Sequence, residues 1–174
     1  MSVDRKGRDF QSIITDWKLN AKRHGDCNFS FLRSLKNESD RKVDRAAHRL
    51  HQEVFSVIDC TQCANCCKTV SPIFTADDIA RIARHLEKDA DAFTAQYLAK
   101  CNDQQGWEPK SLPCPFLGTD NRCTIYEVRP VVCAEYPYTD KPEISSRTHS
   151  IAAKALECPA VFYIVEQMRA RGLK

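Results

Sequence analysis

The chain has 174 residues, of which 43% are hydrophobic and 28% are charged, and its formal net charge at pH 7 is +3. These proportions exclude a disordered chain and a mini-protein built only on disulfides, and they predict one small globular domain. Because Lys and Arg are interleaved with Asp and Glu, the basic surface typical of nucleic-acid-binding proteins is not expected.

The sequence also bears on the compartment. No run of 18 apolar residues is present, and the start, from Met1 to Lys6, lacks the apolar core of a secretory signal. We therefore expect a cytoplasmic protein without a membrane partner. Ten cysteines in a reducing cytosol fit a disulfide framework poorly, because cellular reductants keep thiols reduced. Metal or redox chemistry is the better expectation for them.

Residues 1–58 are predicted to form a helical segment that packs on the core. A weak amphipathic pattern from Asp9 to about Lys22 predicts a first helix, which Gly25 would end. A second, longer helix is predicted from about Asn28 to Ile58, because apolar residues recur at steps of three and four in its later half.

Residues 59–160 are the predicted metal-binding region. A cysteine-rich loop reaches Lys68, and an extended segment follows at residues 70–74. Two short helices are then predicted, the first capped by Thr75 with acids in its first turn and the second capped by Asp91.

Prolines recur between Gly106 and Pro142, which forbids a long regular element there and suits a rigid segment that carries ligands. A pair of helices is predicted to follow, at about residues 144–156 and then from Pro159 through the C-terminal segment 161–174. The predicted fold class is mainly α: a single domain of helices around an irregular, proline-rich cysteine loop core stapled by metal.

Four cysteines form the motif C-x-x-C-x-x-C-C, at positions Cys60, Cys63, Cys66 and Cys67. Gaps of two residues let successive thiolates turn toward one centre, and this spacing serves both zinc and iron–sulfur sites. Adjacent cysteines can rarely both bind one ion without strain. Cys66 and Cys67 are therefore expected to serve different centres, or one of them is a supporting or redox thiol.

Four further cysteines, most of them beside prolines, complete the candidate set: Cys114, Cys123, Cys133 and Cys158. Flanking prolines fix the backbone at Cys114. A helical turn begun by Pro130 would bring unpaired amides close to Cys133 and stabilise its thiolate. Eight cysteines allow two four-thiolate sites or one site with spare thiols, and both arrangements remain open.

A site of four thiolates carries negative charge, which calls for nearby positive groups. Lys68, Arg122 and Arg129 are placed in the sequence to supply them. The remaining cysteines, Cys27 and Cys101, fall outside the pattern and are expected to pack as small apolar residues.

The order C-x-x-C-x-x-C-C, C-P-F-L, C-x-I-Y, R-P-x-x-C and C-P resembles the YkgJ-like cysteine-cluster family, known as a zinc- or iron-chelating domain. The resemblance spans Cys60 to Pro159. It implies zinc or iron as the cofactor, the iron being mononuclear or part of an iron–sulfur cluster. After Cys133 the family usually has an arginine, where this chain has Ala134. Some longer relatives are described as flagellin lysine methylases, an activity not expected here because no methyl-donor loop is present.

Two functional classes follow from these residues. The first is a metal-binding protein that holds zinc or iron through clustered thiolates and acts in interaction or metal handling. The alternative is an iron–sulfur oxidoreductase, or an accessory component of a modification enzyme, that passes electrons to an unidentified partner. A thiol sensor based on Cys66 and Cys67 is disfavoured because vicinal disulfides are strained. No serine-nucleophile motif, H-E-x-x-H or P-loop indicates another chemistry.

Overall fold

The computed structural model describes residues 9–102 and 106–172. In these ranges the chain is mainly helical, as predicted, with one small two-stranded sheet. No helix within them is long and apolar enough to cross a membrane. The chain divides into two compact units, one formed by residues 60–136 and the other by the described residues before and after that segment.

The unit built from the two ends of the chain contains five long helices, numbered here along the chain. They are α1 (Phe10–Asn20), α2 (Gly25–Ser34), α3 (Asp40–Phe55), α9 (Thr148–Glu157) and α10 (Pro159–Ala170). A 3-10 helix at Ile144–Arg147 leads into α9. Helix α10 begins with its proline at the first helical position, packs against the other four helices and is buried along most of its length. It is therefore the centre of this unit's core.

The prediction of one long helix from Asn28 to Ile58 is wrong. Helix α2 ends at Ser34, a 3-10 turn covers Leu35–Asn37, and α3 begins at Asp40. The side chain of Leu35 is fully buried, so packing in the core holds this break. Gly25 does not end the first helix either, because a turn after Asn20 does so and Gly25 begins α2.

The unit formed by residues 60–136 consists of short elements. They are α4 (Cys60–Cys63), α5 (Asn65–Thr69), α6 (Ala76–His85), α7 (Ala90–Tyr97), β1 (Leu98–Lys100), β2 (Trp107–Pro109), a 3-10 turn (Tyr126–Val128) and α8 (Val131–Glu135). The two strands pair antiparallel, with Leu98 opposite Pro109. As the prolines predicted, no described element between Gly106 and Pro142 is longer than five residues.

Capping explains where α6 and α7 begin. Thr75 caps α6, as predicted, and forms a reciprocal capping box with Asp78. Helix α7 is capped by Asp89 and not by Asp91, since the Asp89 carboxylate accepts the N–H groups of Asp91 and Ala92. Leu98, the first residue after α7, begins β1.

The core of this unit fixes two of the candidate cysteines. Phe116 stacks on the ring of Phe93 with centroids 5.8 Å apart, and Ile125 is buried in the same apolar cluster. Phe116 lies two residues after Cys114, and Ile125 lies two residues after Cys123. Each cysteine is thus held beside an apolar anchor.

Candidate metal centre

The C-x-x-C-x-x-C-C segment folds as two short helices joined at Ala64. Cys60 and Cys63 are the ends of α4, and α5 carries Cys66 and Cys67. Ala64 adopts a left-handed conformation, with φ 49° and ψ 19°, and is 3% exposed. Its N–H donates to the carbonyl of Cys60, so the change of direction is hydrogen-bonded. Cys60 is exposed, whereas the other three cysteines are partly buried.

A backbone hydrogen bond joins this segment to the second cysteine group. The N–H of Cys114 donates to the carbonyl oxygen of Cys67 over 2.8 Å. Cys114 and Cys123 belong to one tight loop, because Leu117 and Cys123 form an antiparallel bridge and the Thr124 N–H donates to the Phe116 carbonyl. The loop therefore carries both cysteines to the side of Cys67.

Charge interactions link four thiols: Cys67, Cys114, Cys123 and Cys133. Burial first, and then the negative charges of Cys67, Cys114, Cys123 and Asp78, together raise the pKa of Cys133 to about 12. Burial first, with smaller contributions from Cys67 and Cys123, likewise raises the pKa of Cys114 to about 11. The pKa of Cys123 is raised by burial and by Cys67.

Burial and neighbouring charges oppose the predicted stabilisation of the Cys133 thiolate by helix amides. Pro130 does precede a short helix, α8, but the N–H of its first residue, Val131, donates to the carboxylate of Asp78. Burial and the other thiolates then dominate at Cys133 and favour its protonated form in the metal-free protein.

Cys67 differs from its three neighbours. A hydrogen bond from the thiol of Cys66 lowers the pKa of Cys67 to about 7, and the positive charge of Lys68 acts in the same direction against burial. The Cys66 thiol is thus a hydrogen-bond partner of Cys67.

The predicted positive groups behave differently from one another. Lys68 lowers the pKa of Cys67, and Arg129 acts in the same sense against the burial-raised pKa of Cys123. The guanidinium of Arg129 also stacks on the ring of Tyr126 at 3.8 Å. Arg122 lies 3.9 Å from the carboxylate of Asp120, and both side chains are exposed.

The remaining cysteines have other positions. Cys158 belongs to the unit built from the two ends of the chain, called the helical unit below. It is the N-cap residue of α10, and its N–H donates to the carbonyl of Lys154. Cys101 is buried, as expected of a packing residue, whereas Cys27 is exposed on α2. All ten cysteines lie within the described residues, and no disulfide joins any two of them.

The candidate donors are of the kind that a thiophilic metal prefers. In residues 9–102 and 106–172, no three side chains of Cys, His, Asp or Glu are arranged as a ready metal site. Thiolates are the ligands that select zinc and iron–sulfur clusters, and four of them satisfy a tetrahedral ion. The metal-stapled core expected from the sequence therefore stays a prediction.

Sequence reasoning missed two residues that contact the segment before Cys133, namely Asp78 and Arg81. The carboxylate of Asp78 accepts the Val131 N–H at 3.2 Å, and Arg81 donates to the carbonyl of Arg129 at 3.0 Å. The capping motif at Thr75 marked Asp78 as an acid of the first helical turn. It carried no signal for a partner 53 residues further along the chain.

Comparison with known proteins agrees with this donor set. The chain is 35% identical over 83 residues to an uncharacterized protein from Methanocaldococcus jannaschii, a match that covers 46% of this chain and 44% of the relative. The aligned part thus spans less than half of that relative, and no solved structure matches the chain significantly. Residues 59–159 match the family model CxxCxxCC, described as "Putative zinc- or iron-chelating domain". The chain belongs to this CxxCxxCC family.

Proposed function

We propose that this protein binds zinc or iron through cysteine thiolates, with Cys67, Cys114, Cys123 and Cys133 as the principal ligands. The observation that supports the proposal is the backbone hydrogen bond between Cys114 and Cys67, together with the repulsion that the thiolate of Cys67 exerts on Cys114, Cys123 and Cys133. The description of the family supports the same class of metal.

A bound metal would stabilise the thiolate forms of these cysteines. Cys114 and Cys133 are protonated at neutral pH because burial disfavours their charged forms. A divalent ion offsets the thiolate charge, so binding releases protons and draws three chain segments together. The expected effect is stabilisation of the 60–136 unit. A reducing compartment such as the cytoplasm would keep the thiols available.

A second candidate, an iron–sulfur protein with a redox or accessory role, is favoured by the number of thiols. The 60–136 unit also contains Cys60, Cys63 and Cys66, so it holds more thiols than one tetrahedral ion requires. Cys60 is exposed, which would give a cluster there a path to an electron partner. Cys158 is the remaining candidate ligand of the set.

Metal and acid-labile sulfide analysis of protein purified without oxygen or chelator tests both candidates. One equivalent of zinc or iron without sulfide supports the four-thiolate site. Iron with comparable sulfide and a brown charge-transfer band supports a cluster. Protein that holds neither metal, and takes up neither from solution, contradicts the proposal.

Cysteine variants then assign the ligands. Cys133→Ser removes a partly buried candidate ligand, and Cys27→Ser removes an exposed cysteine outside the set. We expect the first to lose bound metal and the second to retain it. Equal metal content in both variants would exclude Cys133 as a ligand.

A further inference from the structure

Asp78 is a buried carboxylate outside the cysteine set. Its side chain is 0% exposed, and it lies at the third position of α6 beside the apolar core residues Ile79 and Ile82. Burial would raise its pKa, but hydrogen bonds outweigh this and hold the pKa below its ordinary value. A buried charge of this kind persists only where several donors satisfy it.

The two oxygens of Asp78 have different partners. Oδ2 accepts the backbone N–H of Thr75 at 3.0 Å and its hydroxyl at 2.8 Å, which completes the capping box. Oδ1 accepts from Arg81 Nη2 at 2.6 Å and from the backbone N–H of Val131 at 3.2 Å. Capping α6 needs only Oδ2 and could be done by an exposed acid. Oδ1 therefore serves the distant segment that contains Val131.

Arg81 completes the attachment of that segment. The same Nη2 atom that contacts Asp78 also donates to the carbonyl oxygen of Arg129 at 3.0 Å. The Arg129–Val131 segment is consequently held at both ends, by a carbonyl and by an amide. Pro130, between these ends, has a fixed φ and no N–H of its own.

This attachment leads directly to a candidate ligand. Val131 is the first residue of α8, and the N–H of Cys133 donates to the carbonyl of Pro130 at 2.9 Å. The position of Cys133 thus follows from that of the attached segment. Helix α8 has only five residues and no side-chain cap of its own, so its start depends on the external bond to Asp78.

We infer that Asp78, with Arg81, is a positioning residue of the metal centre, and that it holds the Arg129–Val131 segment so that Cys133 reaches the ion. The inference rests on the proposed function. Partners in the shell outside the ligands typically change metal affinity about 10–100-fold when they are removed.

The test compares Asp78→Asn with Asp77→Asn. Asp77 is the preceding residue in the same helical turn and is exposed, so the control loses the same charge without a buried partner. Metal-free proteins are titrated with Co²⁺, whose thiolate charge-transfer band reports how many thiolates bind. Competition with a chelator gives the affinity.

For Asp78→Asn we expect an affinity about 10–100-fold lower and a charge-transfer band weaker by about a quarter, as three thiolates replace four. Asp77→Asn should have the same Co²⁺ affinity and the same charge-transfer band as the unchanged protein. Normal affinity and a full-strength band in Asp78→Asn, even with a lower melting temperature, would overturn the inference and leave Asp78 a purely structural cap.

Arg81→Lys serves as a second variant, including the case in which Asp78→Asn does not fold. Lysine keeps a cation beside Asp78, but its shorter side chain does not place a nitrogen where Nη2 of Arg81 contacts both Asp78 and Arg129. We expect weaker Co²⁺ binding by about 10-fold. Unchanged affinity in this variant would overturn the inference.

The outcomes separate this inference from the proposed function. Failure of the unchanged protein and of Asp77→Asn to bind Co²⁺ through thiolates would reject the metal site itself. Normal four-thiolate binding by both of them, together with normal binding by Asp78→Asn, would reject only the positioning role.

Discussion

The backbone carbonyl of Cys67 accepts a 2.8 Å hydrogen bond from the backbone N–H of Cys114. This bond does not depend on either thiol, and the core anchor Phe116 holds the same loop. Contacts that need no ion therefore hold the Cys67 and Cys114 segments together in the 60–136 unit.

Cys114→Ser should consequently leave the metal-free fold nearly unchanged while it abolishes stabilisation by zinc. Zinc at 1,000 times its Kd stabilises a native state by about 4 kcal/mol, and this increment requires the full ligand set. The melting temperature with and without zinc measures it. Cys27→Ser is the control that should keep the increment. A zinc-dependent rise of equal size in Cys114→Ser would contradict a ligand role for Cys114.

Cys67 should be the most reactive thiol of the converging four when no metal is bound. Its pKa is lowered to about 7, first by the hydrogen bond from Cys66, whereas the pKa values of Cys114 and Cys133 are about 11 and 12. Because the thiolate is the nucleophile, the alkylation rate at Cys67 should rise through an inflection near pH 7. Peptide mapping by mass spectrometry after brief iodoacetamide treatment measures the rate.

Cys66→Ala provides the control for this assignment. Loss of the hydrogen bond from Cys66 removes the main cause of the lowered pKa, so the inflection at Cys67 should move to higher pH. Zinc should protect Cys67 in the unchanged protein. An inflection already at about pH 9 before the substitution, which is the ordinary thiol value, would contradict the proposed environment.

The features predicted correctly from the sequence are those with local causes. The capping chemistry of Thr75 marked the start of α6, and Pro159 marked the start of α10. The break before α3 was missed because burial of Leu35, a tertiary effect, decides it. The strand at Leu98–Lys100 is too short to show a periodicity of two residues.

The same distinction applies to the site. Spacing identified the eight cysteines and the segments that carry them. It could not select which thiols meet, because that depends on the bond between Cys67 and Cys114 across a long stretch of chain. Nor could spacing predict the hydrogen bond to Oδ1 of Asp78, because its donor, Val131, belongs to another element. Long-range contacts of this kind leave no mark in a single sequence.

Ala64 should tolerate glycine but not valine. A left-handed conformation costs a residue with a side chain roughly 1–2 kcal/mol, which glycine avoids. Loss of the buried methyl group costs about 0.8 kcal/mol, and the added freedom of unfolded glycine about 0.4–1 kcal/mol. The terms nearly cancel, so Ala64→Gly should change the free energy of unfolding by less than about 1 kcal/mol.

Ala64→Val combines a branched side chain with the same backbone and a buried position, and should destabilise the fold by about 2 kcal/mol or more. Denaturant unfolding measures both changes. Ala95→Val, at an exposed site in α7, is the matched control and should have a small effect. Equal stability of the two valine variants would argue against the left-handed turn between α4 and α5.

His51 should make the helical unit sensitive to acid. Its Nδ1 lies 2.8 Å from the hydroxyl of the buried Thr139. Burial lowers its pKa from 6.5, the charge of Asp140 opposes this decrease, and His48 adds a smaller decrease. The unfolded chain therefore binds a proton at a higher pH than the folded one. Stability is complete above about pH 6.5 and falls as the pH drops through the lower folded value.

Melting temperatures of the metal-free protein between pH 5 and pH 8 test this dependence. His51→Asn keeps a polar group near Thr139 but cannot titrate, so the fall below about pH 6.5 should become shallower. His85→Asn removes an exposed histidine of α6 and should leave the profile unchanged. If His51→Asn followed the same acid profile as the unchanged protein, the titration of His51 would not be coupled to folding, and the acid sensitivity would have to arise elsewhere.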